Sequence, residues 1–563
     1  MSLNDKSAKR PTLGLSGLTT NAMALIAPGA FLWLTYFIQA SYGAPMAAQG
    51  MWFGILAAFL LCLATAVAYA ELSKLYPGAG SSYFFAEQAF LNKTKAFKFA
   101  RIAKFVVGWA SHLYYWVYPG LVSGVSALVA GYLVGQIWPD TFNAAVPSPL
   151  FMIIFCPLFV FGVAYLCERG VTGTSSVSAA INVIQISALI VFSIVAVAYR
   201  LNHPQGATGI SLDRNGAPVP ITINYSQPIQ KGLDVTASNR QVDKFQYHAS
   251  AASVVAPHRF SFVVIQASIA ILILVGFESV TWMGEEAKHP ARDIPRAVIL
   301  SLLVQGLLCY LIEYFAANYF LHNGYQISNA LGSAAPVGDM MIIAGTWLFD
   351  SAPAGKAFML VQAVTVLLAL AGTTIASMSI GARVAYTMGR DKEVPEHFGI
   401  LHGERLTPHQ AIWTVAVISV ITAIASILFT FCGPAALNDD VVKALPNNFW
   451  YSFGIFQHDL AVKIPQSLVV VTLVSNFGTF LLYMMTCIVA MVAFHEHHTF
   501  NSFKHLFIPM FGVLANLICM LFYVIGPLMV AGMSPKEPLI ALSTCALWGL
   551  YWSIFIRSGR KSV

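Results

Sequence analysis

Apolar residues along this chain neither alternate nor recur on a narrow helical stripe. They come in unbroken runs around twenty residues long, separated by short polar punctuation. Wound as an α-helix, a run of that length matches the hydrocarbon thickness of a bilayer. The period-two alternation of membrane barrel strands is missing, so the pattern predicts helical spans and not a barrel. Counting runs gives about twelve spans. The first five begin near Leu15, Ala47, Phe105, Pro149 and Ser176, and the next five near Ser261, Ala297, Ala357, Gln410 and Ser467. A final pair begins near Leu506 and Leu539. The expected organisation is a tail over 1–14, five helices over 15–200, a loop insertion over 201–258, five more helices over 259–495, and two helices with a short tail over 496–563. The insertion is rich in Asn, Gln and Pro and predicts a small irregular unit. Asn224-Tyr225-Ser226 within it matches a glycosylation sequon, a tripeptide common by chance. Cys432 to Lys463 forms a second turn-rich loop.

Two runs break the pattern from inside. The first span reads NAMALIAPGAFLW, with Pro28-Gly29 at its middle, and the sixth reads LVGFESVTW, with Gly276 followed by the carboxylate of Glu278. Proline removes an amide donor and clashes with the preceding turn, and glycine permits unusual dihedrals. Both free backbone groups at membrane depth, where they must be satisfied; a water-filled substrate cavity does this, and so does packing against neighbouring helices. Interrupted helices at matching positions of two five-helix halves point to an inverted-repeat transporter with its site at the midplane. An odd number of spans per half makes the second half enter the membrane the other way round. Half-helix ends offer dipole charges that suit a zwitterion or an ion.

Composition supports the membrane reading. The chain is 57% hydrophobic and 10% charged, where a soluble domain would be about a quarter charged. Its net charge of +7 would suggest nucleic acid in a soluble protein. Here Lys and Arg cluster at helix ends, so no nucleic-acid partner is expected. Lys6, Lys9 and Arg10 precede the first span and Arg557, Arg560 and Lys561 follow the last. Lys93, Lys95, Lys98, Arg101 and Lys104, and then Lys288, Arg292 and Arg296, fall on the same face. The positive-inside pattern therefore puts both termini in the cytoplasm of a multi-pass protein, with a bacterial inner membrane as the expected setting. The N-terminus shows no apolar signal region. The eight cysteines show no CxxC spacing and read as small core residues. His495-Glu496-His497-His498 has metal-like composition, but its position at a helix end reads as a wet interfacial loop.

GFESVTWMGEEAKHPARDIPRAVIL (Gly276 to Leu300) resembles the sixth-helix hallmark of the amino acid–polyamine–organocation permeases. YAELSKLYPGAGSSYFFAEQAF (Tyr69 to Phe90) is similar to their motif after helix two, and ASMSIGARVAYTMGRDKEVPEHF (Ala376 to Phe398) to their eighth helix and its tail. The outer-loop SAAPVGDM (Ser333 to Met340) is a weaker echo. The resemblance implies an all-α membrane protein of the LeuT type, two inverted five-helix repeats plus two C-terminal helices. It also implies alternating access around a site between helices one, three, six, eight and ten. The substrate would be an amino acid, an amine or a polyamine, moved with an ion or by exchange, by a monomer or a homodimer and without a cofactor.

Residue by residue, the resemblance sets Ala27, Pro28, Gly29 and Ala30 at the unwound first helix and Gly276, Phe277, Glu278 and Ser279 at the unwound sixth. Amino-acid carriers of the family typically have a GSG-like first segment whose free amides hold the substrate carboxylate. In APGA, Pro28 withdraws one donor, which tilts the expectation toward an amine, a polyamine or an unusual amino acid. Glu278 has two readings, a proton-exchanging or amine-binding acid and a structural glutamate bonded to other helices. Proton-coupled relatives carry a helix-five lysine at a position aligned with Gln185, so that device is absent. Helix eight offers Thr373, Thr374 and Ser377 as oxygen ligands for Na⁺, above all Thr374 and Ser377, although hydroxyls in such helices usually bond their own backbone. Sodium, protons and uncoupled exchange all remain open here. Trp282 and Phe277 are expected lids, and Tyr115, Trp116 and Tyr118 of the third helix have the shape for cation–π contact with an amine. Glu285, Glu286, Arg292, Asp293 and Arg296 read as an inner gate, with Arg383 a partner for one of the acids. His112 and Glu313 are further buried ionisable residues without an assigned partner.

Other classes lack their chemistry. No clustered acids, metal-binding His set or nucleophile–base pair lies within the spans, and no GxxxxGK(S/T) occurs. A channel would need a repeated filter or several subunits. A nutrient sensor that does not transport stays open, though the tails are short.

Overall fold

The computed structural model describes residues 12–26, 33, 50–78, 80–91, 97–142, 147–202, 208–212, 218–222, 251–255, 260–320, 335–403, 405, 407–428, 466–495, 499–529 and 536–559. Nearly all are helical. Ten of the helices are long and apolar enough to cross a membrane. They fall on the second to eleventh predicted runs: Met51–Leu75, Lys98–Ile137, Pro149–Glu168, Val177–Asn202, Gln266–Met283, Pro290–Phe320, Ala352–Arg390, His409–Ile427, Val470–His495 and Phe503–Phe522. Shorter apolar helices, Leu15–Ile26 and Pro538–Ile554, stand at the first and last predicted positions. The sixth span is wholly inside the protein, 100% buried, whereas the eleventh is 28% buried. The interrupted helix is thus the axis of the molecule, and the C-terminal pair belongs to its rim.

Helix pairing follows the two halves. Helix two packs on helix six and helix seven on helix one. Helix three packs on helices nine and ten, and its counterpart, helix eight, on helices four and five. Helix one also packs on helix five, and helix six on helix ten. Exchanging one half for the other leaves this set of contacts unchanged, which is the behaviour of a two-fold internal repeat.

Local chemistry accounts for the irregularities. Helix three comprises Phe97–Tyr115 and Tyr118–Ile137, the second piece starting with proline in its first turn. Pro119 lacks an amide, so the ladder breaks one turn earlier. Helix seven widens into a π segment at Leu303–Leu311, and the Trp52 indole donates to the Leu311 carbonyl at 2.9 Å. Two segments outside the counted spans are helices, Ser81–Leu91 in the motif after helix two and Pro336–Phe349, whose start reads as an outer loop in the sequence. Their apolar content is too short to register as a span. In the 201–258 insertion, read as irregular, the described residues include an antiparallel hairpin, β1 (Thr208–Leu212) and β2 (Pro218–Thr222). The sequon, the Cys432 to Lys463 loop and Glu496 to His498 lie outside the described residues.

Candidate functional site

Helix six runs over Phe260–Leu274 and stops. Gly276 takes a φ of +124°, and the chain continues as a tight 3₁₀ turn, Phe277–Met283. Glycine is required there twice over. The dihedral is one that L side chains avoid, and an added Cβ would sit 2.9 Å from the Leu25 Cβ and 3.0 Å from the Ile26 nitrogen. The break in helix six is therefore pressed against the end of helix one.

The freed amide is used at once. Gly276 N–H donates to Glu278 Oε2 at 3.0 Å, the Tyr483 hydroxyl donates to the same oxygen at 2.8 Å, and the Tyr115 hydroxyl donates to Oε1 at 2.9 Å. Glu278 is 0% exposed, so three donors from helices three, six and ten replace its hydration. An aromatic wall surrounds the carboxylate. Tyr69 meets Phe277 and Tyr483 edge-on, each at 6.1 Å, and Trp282 meets Tyr115 edge-on at 6.3 Å. Ser82 donates to the Tyr69 hydroxyl at 2.6 Å and lies 2.7 Å from Thr486 Oγ1. Thr281 fixes the turn by donating to the Glu278 carbonyl at 2.6 Å.

Helix one presents carbonyls to this region, and side chains of other helices meet them. Asn182 donates to Thr20 at 2.8 Å, Gln305 to Met23 at 3.1 Å, Thr373 to Ala24 at 3.0 Å and Tyr310 to Ile26 at 2.7 Å. In a continuous helix the Ala24 carbonyl would accept the amide of residue 28. Residue 28 is proline and has none, so Thr373 supplies the missing donor. Ala27, Pro28, Gly29 and Ala30 themselves lie outside the described residues. Of the other helix-eight hydroxyls, Thr374 donates to Leu370 at 2.8 Å and Ser377 to Thr374 at 3.2 Å, both within their own helix. Gln185, where relatives carry lysine, donates to Asn182 Oδ1 at 2.9 Å and so supports the tie from helix five to helix one.

Beyond Trp282 the chain reaches a charged cluster. Arg383 of helix eight binds Glu286 through both nitrogens, at 2.7 and 3.1 Å, and donates to the Trp282 carbonyl at 3.2 Å. The Glu286 carbonyl accepts the amides of Thr12 and Leu13 at 3.1 and 2.9 Å, and Lys288 N–H donates to the Leu13 carbonyl at 2.8 Å. The segment before helix one is thus strapped, strand-like, to the exit of helix six. Glu285 and Arg390 are 3.9 Å apart and exposed, a pair of little weight. Arg292 pairs with its neighbour Asp293.

Gly276, Phe277, Glu278, Trp282 and Tyr115 thus come together, and Arg383 and Glu286 form a pair below them. Trp116 does not join: its indole donates to the Gly381 carbonyl at 3.3 Å and its ring packs on His112. The Ser279 hydroxyl is buried without a hydrogen-bond partner among the described residues. His112 bonds the Gly108 carbonyl at 2.8 Å, and both oxygens of buried Glu313 meet no donor among the described residues. Sequence reasoning missed Tyr483, Gln305 and Tyr310, which sit in apolar runs without punctuation. Tyr69 lay inside a quoted motif and could have been found.

The amino acid permease family model matches residues 12–555. The branched-chain amino acid permease BcaP of Bacillus subtilis (strain 168) is 26% identical over 74% of this chain and 75% of its own length. BcaP of Lactococcus lactis subsp. cremoris (strain MG1363) is 25% identical over 72% of this chain and 74% of its own. The low-affinity putrescine importer PlaP of Escherichia coli (strain K12) is 23% identical over 70% of this chain and 76% of its own.

Proposed function

The chain belongs to the amino acid permease family, and from that membership we propose that it carries an amino acid or a related amine across the bilayer by alternating access. The observation that bears most of the weight is Glu278, a buried carboxylate held by donors from helices three, six and ten beside the end of helix one. Substrate would bind between the broken helices, against Ala27 to Ala30 on one side and Gly276 to Ser279 on the other. Phe277, Trp282 and Tyr115 would form the aromatic wall, and Trp116 would act only through helix eight. Arg383 with Glu286 would keep the cytoplasmic side shut while the other side opens. On this reading the repeats are 15–200 and 259–495, and both termini are cytoplasmic in a bacterial inner membrane.

Pro28 favours an amine or polyamine among these substrates. It deprives a carboxylate of one amide donor, while an acid ringed by tyrosines suits an ammonium group. Coupling is assigned to protons through Glu278. The Thr373, Thr374 and Ser377 hydroxyls all donate to carbonyls and keep their oxygen lone pairs for a cation, so sodium is the competing reading that the imposed gradients decide.

Uptake into liposomes holding the purified chain decides these points. Labelled branched-chain amino acids, monoamines and polyamines are offered under imposed pH, Na⁺ or exchange gradients. Saturable uptake driven by a pH gradient is expected. Binding without uptake under any gradient would make the protein a sensor, and a strict Na⁺ requirement would remove the proton assignment.

A further inference from the structure

A groove of about 1240 Å³ lies on the flank of the molecule, away from Glu278. Its floor is helix two, and its walls are the start of helix seven and the segment Phe503–Phe511 of helix eleven, both packed on helix two. Each of the three elements carries its charge at the same end of the groove. Helix two contributes Glu71 and Lys74 there and Leu60 and Ala64 farther in. Helix seven contributes Arg292 and Arg296, then Ile299 and Leu300. Helix eleven contributes Lys504, then Phe507 and Phe511. The lining therefore grades from cationic to purely apolar over about two helical turns. Four cations face one carboxylate, and that carboxylate is already engaged by Lys74 and His505. Arg292 has Asp293 beside it, and Arg296 is exposed with no acidic partner among the described residues.

We propose that this groove holds one anionic phospholipid, its phosphate among Arg296, Arg292 and Lys504 and its acyl chains against Leu60, Leu300 and Phe511. A zwitterionic lipid or a second copy of the chain would fill the apolar part equally well, but the first offsets its phosphate with its own ammonium group and the second brings no headgroup to the cation cluster. Basic residues at a membrane surface attract anionic headgroups, whereas an apolar slot alone does not discriminate among them. The same helix-seven start follows directly on the strapped segment around Glu286, so an occupied groove would bear on the gate.

The test uses the full chain purified in detergent, titrated with phosphatidylglycerol or with phosphatidylcholine of identical acyl chains, and followed by thermal unfolding and native mass spectrometry. A clear preference for phosphatidylglycerol is expected. Glycerol phosphate without chains should bind far more weakly, because it lacks the apolar half. Arg296→Gln and Lys504→Gln, both at exposed positions, should each reduce the preference about fivefold and leave phosphatidylcholine binding unchanged. Leu300→Trp should fill the slot and weaken both lipids while leaving the charges in place. Equal retention of the two lipids, or a preference that survives the double charge variant, would overturn the assignment.

Discussion

Thr373→Val tests whether a side chain on helix eight repairs the damage Pro28 does to helix one. Valine keeps the shape of threonine and removes only the hydroxyl. Thr373 lies within hydrogen-bond reach of two carbonyls, Ala24 at 3.0 Å and Ala369 at 3.1 Å. Ala369 keeps its ordinary helix donor, the amide of Thr373 itself, so the loss falls on Ala24. That carbonyl has no amide to fall back on, because residue 28 is proline. A buried group left unpaired costs about 1–3 kcal/mol, and hydrogen bonds between membrane helices average about 0.6 kcal/mol with a maximum near 1.7. The expected loss is therefore about 1–2 kcal/mol, read as a fall in the unfolding midpoint of the purified protein. Thr374→Val is the control: its hydroxyl bonds Leu370 in its own helix, where the backbone donor persists, and it should change stability by less than about 0.5 kcal/mol. Pairing Thr373→Val with Pro28→Ala closes the cycle, since alanine brings back an amide for Ala24 and the penalty should shrink. Equal costs for Thr373→Val and Thr374→Val, or the same penalty with and without Pro28, would refute the repair.

Three further outcomes follow from the geometry. Gly276→Ala should lower stability by about 2 kcal/mol or more, since it combines an unfavourable dihedral with overlap on Leu25, and uptake should fall with it; thermal unfolding and uptake at one temperature separate the two losses. Glu278→Gln turns one acceptor into a donor that faces Tyr115, Tyr483 or the Gly276 amide, so uptake should lose its dependence on pH; a profile unchanged from the parent would remove Glu278 from coupling. Arg383→Gln deletes both bonds to Glu286 for about 1 kcal/mol of stability, and thiol labelling of a cysteine introduced below Trp282 should speed up; unaltered labelling would show that the pair does not close the passage.

The fold was legible where the physics is one-dimensional. Run length marks the spans and Gly276 marks the break in helix six, because bilayer thickness and backbone chemistry act on contiguous residues, while Pro28-Gly29, read as its counterpart, lies outside the described residues. The site was half legible for the same reason. Gly276 and Glu278 stand out in an apolar run, whereas Tyr483, Tyr310 and Gln305 look like ordinary members of theirs. Their importance lies in what they face, the Glu278 carboxylate and the Met23 and Ile26 carbonyls, and sequence spacing does not encode contacts between helices far apart in the chain. Trp116 illustrates the converse. It neighbours Tyr115 in sequence, yet Tyr115 ends the first piece of helix three and Trp116 lies in the turn before the second, so one meets Glu278 and the other Gly381.

The arrangement of the sixth-helix turn also suggests how occupancy and gating would be joined in a permease of this kind. Glu278 and Trp282 are in one 3₁₀ turn, with Glu286 just past its end. The first is held by Tyr115 and Tyr483, and the other two by Arg383. A 3₁₀ segment is tight and its hydrogen bonds are poorly aligned, so it switches to other conformations more readily than an α-helix does. A ligand that competes for the Glu278 carboxylate would release one end of that turn. The strain would then fall on the Arg383 contacts at the other end, and through the Glu286 carbonyl on the strap at Thr12 and Leu13. Helix one is attached to the same strap, so its start at Leu15 would be freed together with the Arg383–Glu286 pair. Coupling of this kind requires a two-state element that both sites bias, and the turn from Phe277 to Met283 is the element in contact with both.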